Sequence, residues 1–252
     1  MIRVIVSGWY GRMGCELQSI ISENSEFELL AGFDMESGMD AGIPIFSEEN
    51  LSDAPEADVI IDFSNHSFVP TVLRYSAEKK IPIVVATTAL GEDVKSLMKE
   101  VSLTVPVFHS ANMSLGINIA AKMAGVAAPA LEDGFDIEIV EAHHNQKKDA
   151  PSGTAILLAD AINDSLNEKK EYIYGRSGRD NARESAEIGI HAVRGGTIPG
   201  NHTIIFAGPD EVIEITHTAY SRRVFASGAI KAAAWICSRT PGLYNMNDLL
   251  AY

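Results

Sequence analysis

The feature that most constrains this chain is the regular alternation of short β-branched runs and amphipathic stretches over residues 1–112. Because consecutive parallel strands need a crossover connection, such alternation is typical of a parallel sheet covered by helices on both faces. The predicted strands are residues 3–7, 27–34, 59–63, 83–87 and 107–110, and the predicted helices are residues 13–22, 69–79 and 92–101. The first part of the chain is therefore predicted to be an α/β domain.

The pattern changes after residue 113. A predicted helix over 115–131 and a strand over 136–142 precede a helix that starts after Pro151. Three strand-like runs then follow without helices between them, at residues 187–193, 202–207 and 212–219. They indicate an α+β domain with a mixed or mostly antiparallel sheet. The last apolar helix, 224–237, is expected to return to the first domain, so the predicted domains are residues 1–113 with 222–252, and residues 114–221.

A glycine-rich turn follows the first predicted strand and opens the first helix. In this position backbone N–H groups and a helix N-terminus can hold a pyrophosphate. Asp34 ends the second strand, where a carboxylate can accept hydrogen bonds from ribose hydroxyl groups. We therefore predict a Rossmann-like dinucleotide-binding domain with cofactor contacts from Asp34 and from Gly8, Trp9, Tyr10, Gly11, Arg12 and Met13. The alternative is an ordinary tight turn with Asp34 as a loop carboxylate, since Trp9 stands where the strict fingerprint has glycine.

The residues around Asp34 also bear on the choice of cofactor. A 2′-phosphate would place negative charge beside this carboxylate, and the next residue is Met35 rather than an arginine or lysine. Arg12 is the one cation in the turn and offsets this repulsion in part. We therefore expect NADH to be preferred and NADPH to be accepted less well.

Two further turns follow the fourth and fifth predicted strands, at the edge of the sheet where a cofactor would lie. They consist of Ala86, Thr87 and Thr88, and of Ala111, Asn112, Met113 and Ser114. Their hydroxyl and amide groups could orient a nicotinamide ring. The alternative is that Thr88 and Ser114 serve as helix N-caps, because each precedes a helical run.

The densest chemistry lies in residues 138–155. His143 and His144 leave a predicted strand, where neighbouring side chains diverge, so they are expected to take different roles. An imidazole titrates near neutral pH and can deliver a proton there. Lys147 follows three residues later. Two histidines with a lysine close behind favour a catalytic site.

A helix start follows directly at Ser152, Gly153 and Thr154. Its unsatisfied N–H groups and the positive end of its dipole suit a carboxylate. The alternative is an ordinary capped helix after a solvated loop. No metal site is expected, because adjacent imidazoles on opposite faces and no cysteine make a poor zinc site. Ser152 is a poor nucleophile candidate, since it lacks the GxSxG setting.

The overall charge limits the partners of the chain. Its 34 acidic and 20 basic side chains give a formal net charge of −14. We expect neither nucleic acid nor a membrane as a partner, because both would repel an acidic protein. Cys15 and Cys237 lie far apart and outside any CxxC pattern, which predicts two buried thiols and a cytoplasmic location. An anionic substrate must then be held by local positive charge.

Residues 138–155 resemble the signature of the 4-hydroxy-tetrahydrodipicolinate reductase family. The likeness extends over the chain through Gly8–Gly14, Asp62-Phe63-Ser64, Ala86-Thr87-Thr88, Ala111-Asn112-Met113-Ser114, Arg194-Gly195-Gly196, Gly200-Asn201-His202, Ser221-Arg222 and Phe225-Ala226-Ser227-Gly228-Ala229. It implies a homotetrameric oxidoreductase of diaminopimelate and lysine biosynthesis. Its second domain would bind substrate and form the tetramer. The enzyme would pass a hydride from NAD(P)H to a small cyclic imine that carries two carboxylates.

The resemblance also implies individual roles. His143 matches the proton donor and Lys147 the second catalytic cation. His144 with Ser152, Gly153 and Thr154 matches the substrate carboxylate site, and the cofactor residues match those named above. Ala86 departs from the glycine common in the family, and Trp9-Tyr10 replaces small or basic residues. Two alternatives are a related Rossmann-type reductase of another small imine or amino acid, and a non-catalytic NADH-sensing module.

Overall fold

The computed structural model describes residues 1–251. Its strands are, in chain order, β1 (Ile2–Ser7), β2 (Phe27–Phe33), β3 (Gly38–Asp40), β4 (Ile43–Phe46), β5 (Val59–Asp62), β6 (Ile83–Val85), β7 (Pro106–His109), β8 (Asp136–His143), β9 (Glu171–Tyr174), β10 (Glu187–Arg194), β11 (Gly200–Ala207), β12 (Val212–Ala219) and β13 (Gly242–Tyr244). Its α-helices are α1 (Arg12–Ser22), α2 (Val69–Lys79), α3 (Glu92–Val101), α4 (Leu115–Leu131), α5 (Gly153–Ser165), α6 (Arg223–Ile236) and α7 (Met246–Leu249). A 3-10 helix covers Leu51–Asp53.

The described chain forms two compact units. One comprises residues 1–114 together with 222–251, and the other comprises residues 115–221. Each unit has its own sheet and its own apolar core.

The sheet of the first unit has the strand order β13-β7-β6-β5-β1-β2-β4-β3. Every pair is parallel except β3 with β4. Strands β5 and β6 are buried along their whole length, as expected for parallel strands covered on both faces. The strand order reverses at β1, and ligands of such sheets bind at the carboxyl ends of the strands around this point. The predicted α/β class and Rossmann-like first domain are confirmed.

The C-terminal segment belongs to the first unit. Strand β13 adds a parallel edge strand beside β7, and α6 packs against β5, β6 and β7. On α6, Gly228 lies so close to Met113 that a Cβ atom there would overlap the Met113 carbonyl oxygen. Sequence patterns did not predict the short strands β3, β4, β9 and β13, whose three or four residues carry little periodic signal.

The sheet of the second unit has the order β12-β11-β8-β10-β9. It is mixed as predicted, since β8 pairs in parallel with β10 and antiparallel with β11. Helices α4 and α5 pack together, and their apolar side chains share a core with one face of this sheet. Alternate residues of β8 point to that face, so Glu141 and His143 point to the same side as Ile137 and Ile139.

Two further sequence expectations concern burial. Among residues 1–251, no helix combines the length and apolar character that a bilayer span requires. Both cysteines are free thiols, but Cys15 is exposed and Cys237 is half-buried, so the prediction of two buried thiols is wrong. Cys15 projects from the outer face of amphipathic α1, whose buried side carries Leu17 and Ile21.

The contact between α6 and Met113 gives a test of this packing. Replacing glycine by alanine inside a helix should stabilise it by about 1 kcal/mol through helix propensity. We expect Gly228→Ala instead to lower the thermal unfolding midpoint by at least about 2 °C, because overlap with a backbone atom puts the overpacking cost at the upper end of about 1–3 kcal/mol, above the helix-propensity gain. Ser227→Ala, one position earlier on the same helix, is the control with little expected change. A Gly228→Ala midpoint at or above that of the wild type would contradict the close approach.

Candidate functional site

The glycine-rich turn joins β1 to α1 where the strand order reverses. Gly8 has φ +84°, and a Cβ atom on it would lie 2.5 Å from the Phe63 carbonyl oxygen. A Cβ atom on Gly14 would overlap the Gly8 carbonyl oxygen. Glycine is therefore required at both positions. Helix α1 begins at Arg12 without a side-chain cap, so its first N–H groups are suited to a pyrophosphate.

Trp9 forms the floor of this turn. Its side chain is only 2% exposed, and it packs on Gly32, where a Cβ atom would overlap the indole. The indole Nε1 donates to Asp40 Oδ2 at 2.9 Å, and the Trp9 carbonyl accepts from Gln18 Nε2 at 2.9 Å. The backbone N–H of Trp9 donates to the Phe33 carbonyl at 3.2 Å. Trp9 thus shapes the turn, and its predicted contact with the cofactor stays a prediction.

Asp34 follows β2 beside the turn. Its Oδ2 accepts from the Tyr10 N–H at 2.9 Å and its Oδ1 from the Met35 N–H at 2.7 Å. A carboxylate has about four lone-pair sites, so two remain for ribose hydroxyl groups. A cleft of about 580 Å³ lies next to this loop, lined by Met35, Glu36, Ser37, Ser47, Glu48, Glu49 and Phe68. Its described lining carries three glutamates and no lysine or arginine.

The turn after β6 is anchored to a buried carboxyl group. Thr87 Oγ1 donates to Asp62 Oδ2 at 2.6 Å, and Ser64 Oγ donates to Asp62 Oδ1 at 2.6 Å. Burial raises the pKa of Asp62, although these two hydrogen bonds act to lower it. The Thr87 hydroxyl is thus bound within the protein. Thr88 is exposed, and the alternative that it caps α3 is wrong, because α3 begins after Gly91.

The turn after β7 has a similar internal support. Asn112 Oδ1 accepts from the Ser114 N–H at 2.8 Å, and Ser110 Oγ donates to the Asn112 carbonyl at 2.9 Å. Ser114 directly precedes α4, and Ala111 is the exposed member of this turn. The predicted cofactor residues therefore all follow β1, β2, β6 or β7, at the carboxyl edge of one sheet.

In the second unit, the end of β8 carries a buried carboxylate next to an imidazole. The Glu141 side chain is 0% exposed, and its Oε2 lies 2.6 Å from Nδ1 of His143. Arg194 donates to both oxygens of Glu141, from Nη1 and Nη2, each at 2.7 Å. The pairing of β10 with β8 sets this geometry, because Arg194 lies opposite His143. The Ser152 N–H also donates to Oε1 of Glu141, at 3.0 Å.

These contacts shift the pKa values of Glu141 and His143. Burial raises the pKa of Glu141, but the hydrogen bonds from Arg194 and His143 outweigh it, and the pKa lies below its usual value. Burial lowers the pKa of His143, and Glu141 offsets this in part. An ionised Glu141 only accepts hydrogen bonds, so the proton of neutral His143 lies on Nδ1. The other ring nitrogen, Nε2, lies beside Gly200, where a Cβ atom would be 3.1 Å away.

His202 on β11 contacts the same imidazole. The rings of His143 and His202 meet edge to face, with centroids 5.1 Å apart. His202 Nε2 lies 3.2 Å from Ser152 Oγ. Burial lowers the pKa of His202 to about 4, helped by the neighbouring His143. His202 is therefore neutral at physiological pH, and its Nδ1 is buried without a hydrogen-bond partner among residues 1–251.

Helix α5 begins beside this pair. Ser152 Oγ accepts from the Ala155 N–H at 3.1 Å and so caps the helix. This hydroxyl therefore serves as an N-cap, the alternative that the sequence also offered for this segment. Gly153 is exposed and Thr154 is half-buried. Lys147 Nζ pairs with Asp149 Oδ2 at 2.8 Å, and the Asp149 carbonyl accepts from Arg194 Nη2 at 2.7 Å. His144 is half-buried, and its N–H donates to the Ile198 carbonyl at 2.8 Å.

The structure thus joins His143, Ser152 and the loop that carries Lys147 through Glu141 and Arg194. Sequence reasoning gave no role to Glu141, Arg194 or His202. A signal for Glu141 was available, because residues i and i+2 of a strand share a face. No group of His, Cys, Asp or Glu side chains within residues 1–251 is arranged to hold a metal ion.

Comparison with known proteins places this geometry in a family. The family model "Dihydrodipicolinate reductase, N-terminus" matches residues 2–113, and "Dihydrodipicolinate reductase, C-terminus" matches residues 116–250. The chain belongs to the dihydrodipicolinate reductase family. A 4-hydroxy-tetrahydrodipicolinate reductase of Caldanaerobacter subterraneus subsp. tengcongensis is 52% identical over 251 residues, covering 99% of this chain and 98% of that protein.

Solved structures agree on the fold. A dipicolinate-bound dihydrodipicolinate reductase from Paenisporosarcina sp. TG-14 matches with a TM-score of 0.80 at 24% identity, covering 99% of each chain. An engineered D-amino acid dehydrogenase bound to NADP+ matches with a TM-score of 0.58 at 14% identity, covering 97% of this chain and 93% of that one. Family membership confirms the predicted family and the reductase function in diaminopimelate and lysine biosynthesis, and it supports a pyridine nucleotide as cofactor.

Proposed function

We propose that this dihydrodipicolinate reductase reduces 4-hydroxy-tetrahydrodipicolinate to tetrahydrodipicolinate, with His143 as proton donor and Lys147 as second catalytic cation. The observation that carries the proposal is the His143 imidazole, held through Nδ1 by a buried carboxylate at the N-terminus of α5. Its Nε2 lies beside Gly200, where any side chain would crowd this nitrogen.

The substrate is a small dicarboxylate, which needs positive charge in an acidic protein. Arg194 is neutralised by Glu141 and contributes little net charge. The remaining sources are Lys147, whose partner Asp149 is 59% exposed, and the N-terminus of α5. Gly153 leaves open space at that helix end, because a Cβ atom there would meet no atom within 4 Å. We therefore assign the substrate carboxylates to His144, Lys147 and residues 152–154.

When bound to the first unit, the reduced pyridine nucleotide supplies a hydride. The reduced substrate then holds an electron pair that must be protonated. His143 in its imidazolium form donates this proton from Nε2, while its Nδ1–H stays on Glu141. Lys147 stabilises the negative charge that develops before protonation.

Removing the proton donor should slow the chemical step. We expect His143→Gln to lower kcat by about 100-fold or more with little change in KM, as is usual for loss of general acid catalysis. His191→Gln is the matched control, because His191 also contacts a glutamate, Glu138, at 2.6 Å on the same sheet. Steady-state kinetics with NADH check this, and near wild-type turnover in His143→Gln would contradict the assignment.

Removing Lys147 should weaken both binding and turnover. We expect Lys147→Ala to raise KM for the dicarboxylate and to lower kcat, at high salt as well as low, because the lost attraction is local. Lys148→Ala is the control for loss of one positive charge from the same loop. A loss of affinity that vanishes at high salt, or equals that of Lys148→Ala, would contradict a direct contact.

We propose that NADH is preferred over NADPH. The support is the free acceptor capacity of Asp34 and the adjacent cleft with Glu36, Glu48 and Glu49. A 2′-phosphate would be repelled there, whereas two ribose hydroxyl groups can donate to Asp34.

This preference can be tested by changing one exposed methionine. We expect kcat/KM for NADH to exceed that for NADPH by about tenfold or more, equivalent to 1.4 kcal/mol. Met35→Arg should lower the ratio of kcat/KM for NADH to kcat/KM for NADPH, because the arginine would attract the 2′-phosphate of NADPH. Met39→Arg, at a similarly exposed methionine on β3, is the control. A wild-type enzyme that favours NADPH tenfold would contradict the proposal.

We also propose that the chain is a homotetramer. Helices α4 and α5 share the core of the second unit with one face of its sheet. The opposite face carries Val140, Ala142, Val193 and Ile205 together with the polar Glu138, His191, Asn201 and Thr203, as alternate residues of β8, β10 and β11. Val193 leaves apolar area uncovered on this face, and a second copy of the same face can cover it.

A charge placed on this face should disrupt assembly. We expect Val193→Glu to shift the mass measured by light scattering from that of a tetramer to that of a smaller species. Val193 is 50% exposed. The control is Val126→Glu, at a valine on α4 that is 80% exposed. A Val193→Glu tetramer would contradict the assignment of this face.

We place the enzyme in the cytoplasm, as befits a biosynthetic reductase that consumes a pyridine nucleotide.

A further inference from the structure

We infer that Glu141 is a positioning residue for catalysis, which fixes the tautomer and orientation of His143 and ties it to the N-terminus of α5. This inference rests on the proposed role of His143 as proton donor. It concerns a residue that does not itself contact the reacting atoms.

The hydrogen-bond pattern requires a carboxylate at position 141. Oε1 accepts from Ser152 N–H at 3.0 Å and Arg194 Nη2 at 2.7 Å. Oε2 accepts from His143 Nδ1 at 2.6 Å and Arg194 Nη1 at 2.7 Å. Each oxygen therefore faces two donors. A glutamine here would place an NH₂ group against two donors whichever way it turned.

The same pattern determines how His143 can act. With Nδ1–H directed at Glu141, the proton for the substrate is carried on Nε2 of the imidazolium. The charged groups around this ring are Glu141 on β8, Arg194 on β10 and Lys147 in the following loop, with neutral His202 on β11. The two cations disfavour the imidazolium form. Glu141 supplies the opposing negative charge, so without it His143 would protonate less readily.

Glu141 also couples His143 to the carboxylate site. It accepts from the N–H of Ser152, the residue that caps α5, while Arg194 reaches the carbonyl of Asp149 in the Lys147 loop. The proton donor, the helix end and this loop are thereby held by one ion pair. A loss of the carboxylate should therefore disturb proton transfer and substrate position together.

The test is the pH profile of kcat in Glu141→Gln and Glu141→Asp. If only the imidazolium donates, kcat falls as pH rises through the pKa of His143. We expect this fall to move to lower pH by at least about 1 unit in Glu141→Gln, with kcat at neutral pH reduced about 100-fold. Glu141→Asp keeps the charge, so its pH profile should stay close to wild type while kcat drops about tenfold through poorer geometry.

Glu138→Gln is the matched control. Glu138 lies on the same strand and contacts His191 at 2.6 Å and Arg183 at 3.0 Å, but it points to the opposite face of the sheet. The Glu138→Gln variant should therefore keep the wild-type pH profile of kcat. A general loss of stability would affect both glutamine variants, whereas the pH shift should appear only in Glu141→Gln.

The outcomes separate this inference from the proposed function. An active His143→Gln would overturn the role of His143 itself. If His143→Gln is inactive but Glu141→Gln keeps the wild-type pH profile, only the positioning role fails. Should Glu141→Gln not fold, Glu141→Asp decides the matter, because wild-type kcat in that variant would overturn the inference.

Discussion

The site in the second unit depends on the ion pair between the buried Glu141 and the half-buried Arg194. Taking two charges out of water costs several kcal/mol per ion, and only good geometry with further hydrogen bonds compensates. Here each oxygen of Glu141 accepts two hydrogen bonds, from donors on Arg194, His143 and Ser152. The pair therefore holds three chain segments, from β8, β10 and the start of α5, in one arrangement. Each of these segments carries or supports a proposed catalytic group.

The two units position their sites by different means. In the first unit glycines shape the turn. Gly8 lets it lie against the loop after β5, Gly14 lets α1 lie against the turn itself, and Gly32 leaves space for the Trp9 indole. In the second unit side chains form the network. The net charge of −14 disfavours anions at long range. Both proposed anion sites accordingly rely on helix N-termini, at α1 and α5, whose attraction acts over a short distance.

The sequence predicted what local patterns determine. Strand–helix alternation predicted the first sheet. The predicted start of α1 at residue 13 lies one residue from the observed start at Arg12, and the residues before α5 predicted its start near Gly153. Contacts set by strand pairing could not be predicted, because Arg194 reaches Glu141 only through the register of β10 against β8, and His202 reaches His143 through β11. The burial of Trp9 against Gly32, 23 positions along the chain, is a tertiary property that local patterns do not predict. Thr88 was a candidate cap only because the loop to Gly91 was unknown.

In the proposed mechanism Glu141 holds the proton of neutral His143 on Nδ1, which leaves Nε2 for the substrate. The ¹⁵N chemical shifts of the His143 ring, assigned by their absence in His143→Gln and followed from neutral to alkaline pH, test it directly. We expect a neutral imidazole with Nδ1 protonated and Nε2 unprotonated. A neutral ring protonated on Nε2 would contradict it, because Nδ1 could then not donate to the carboxylate.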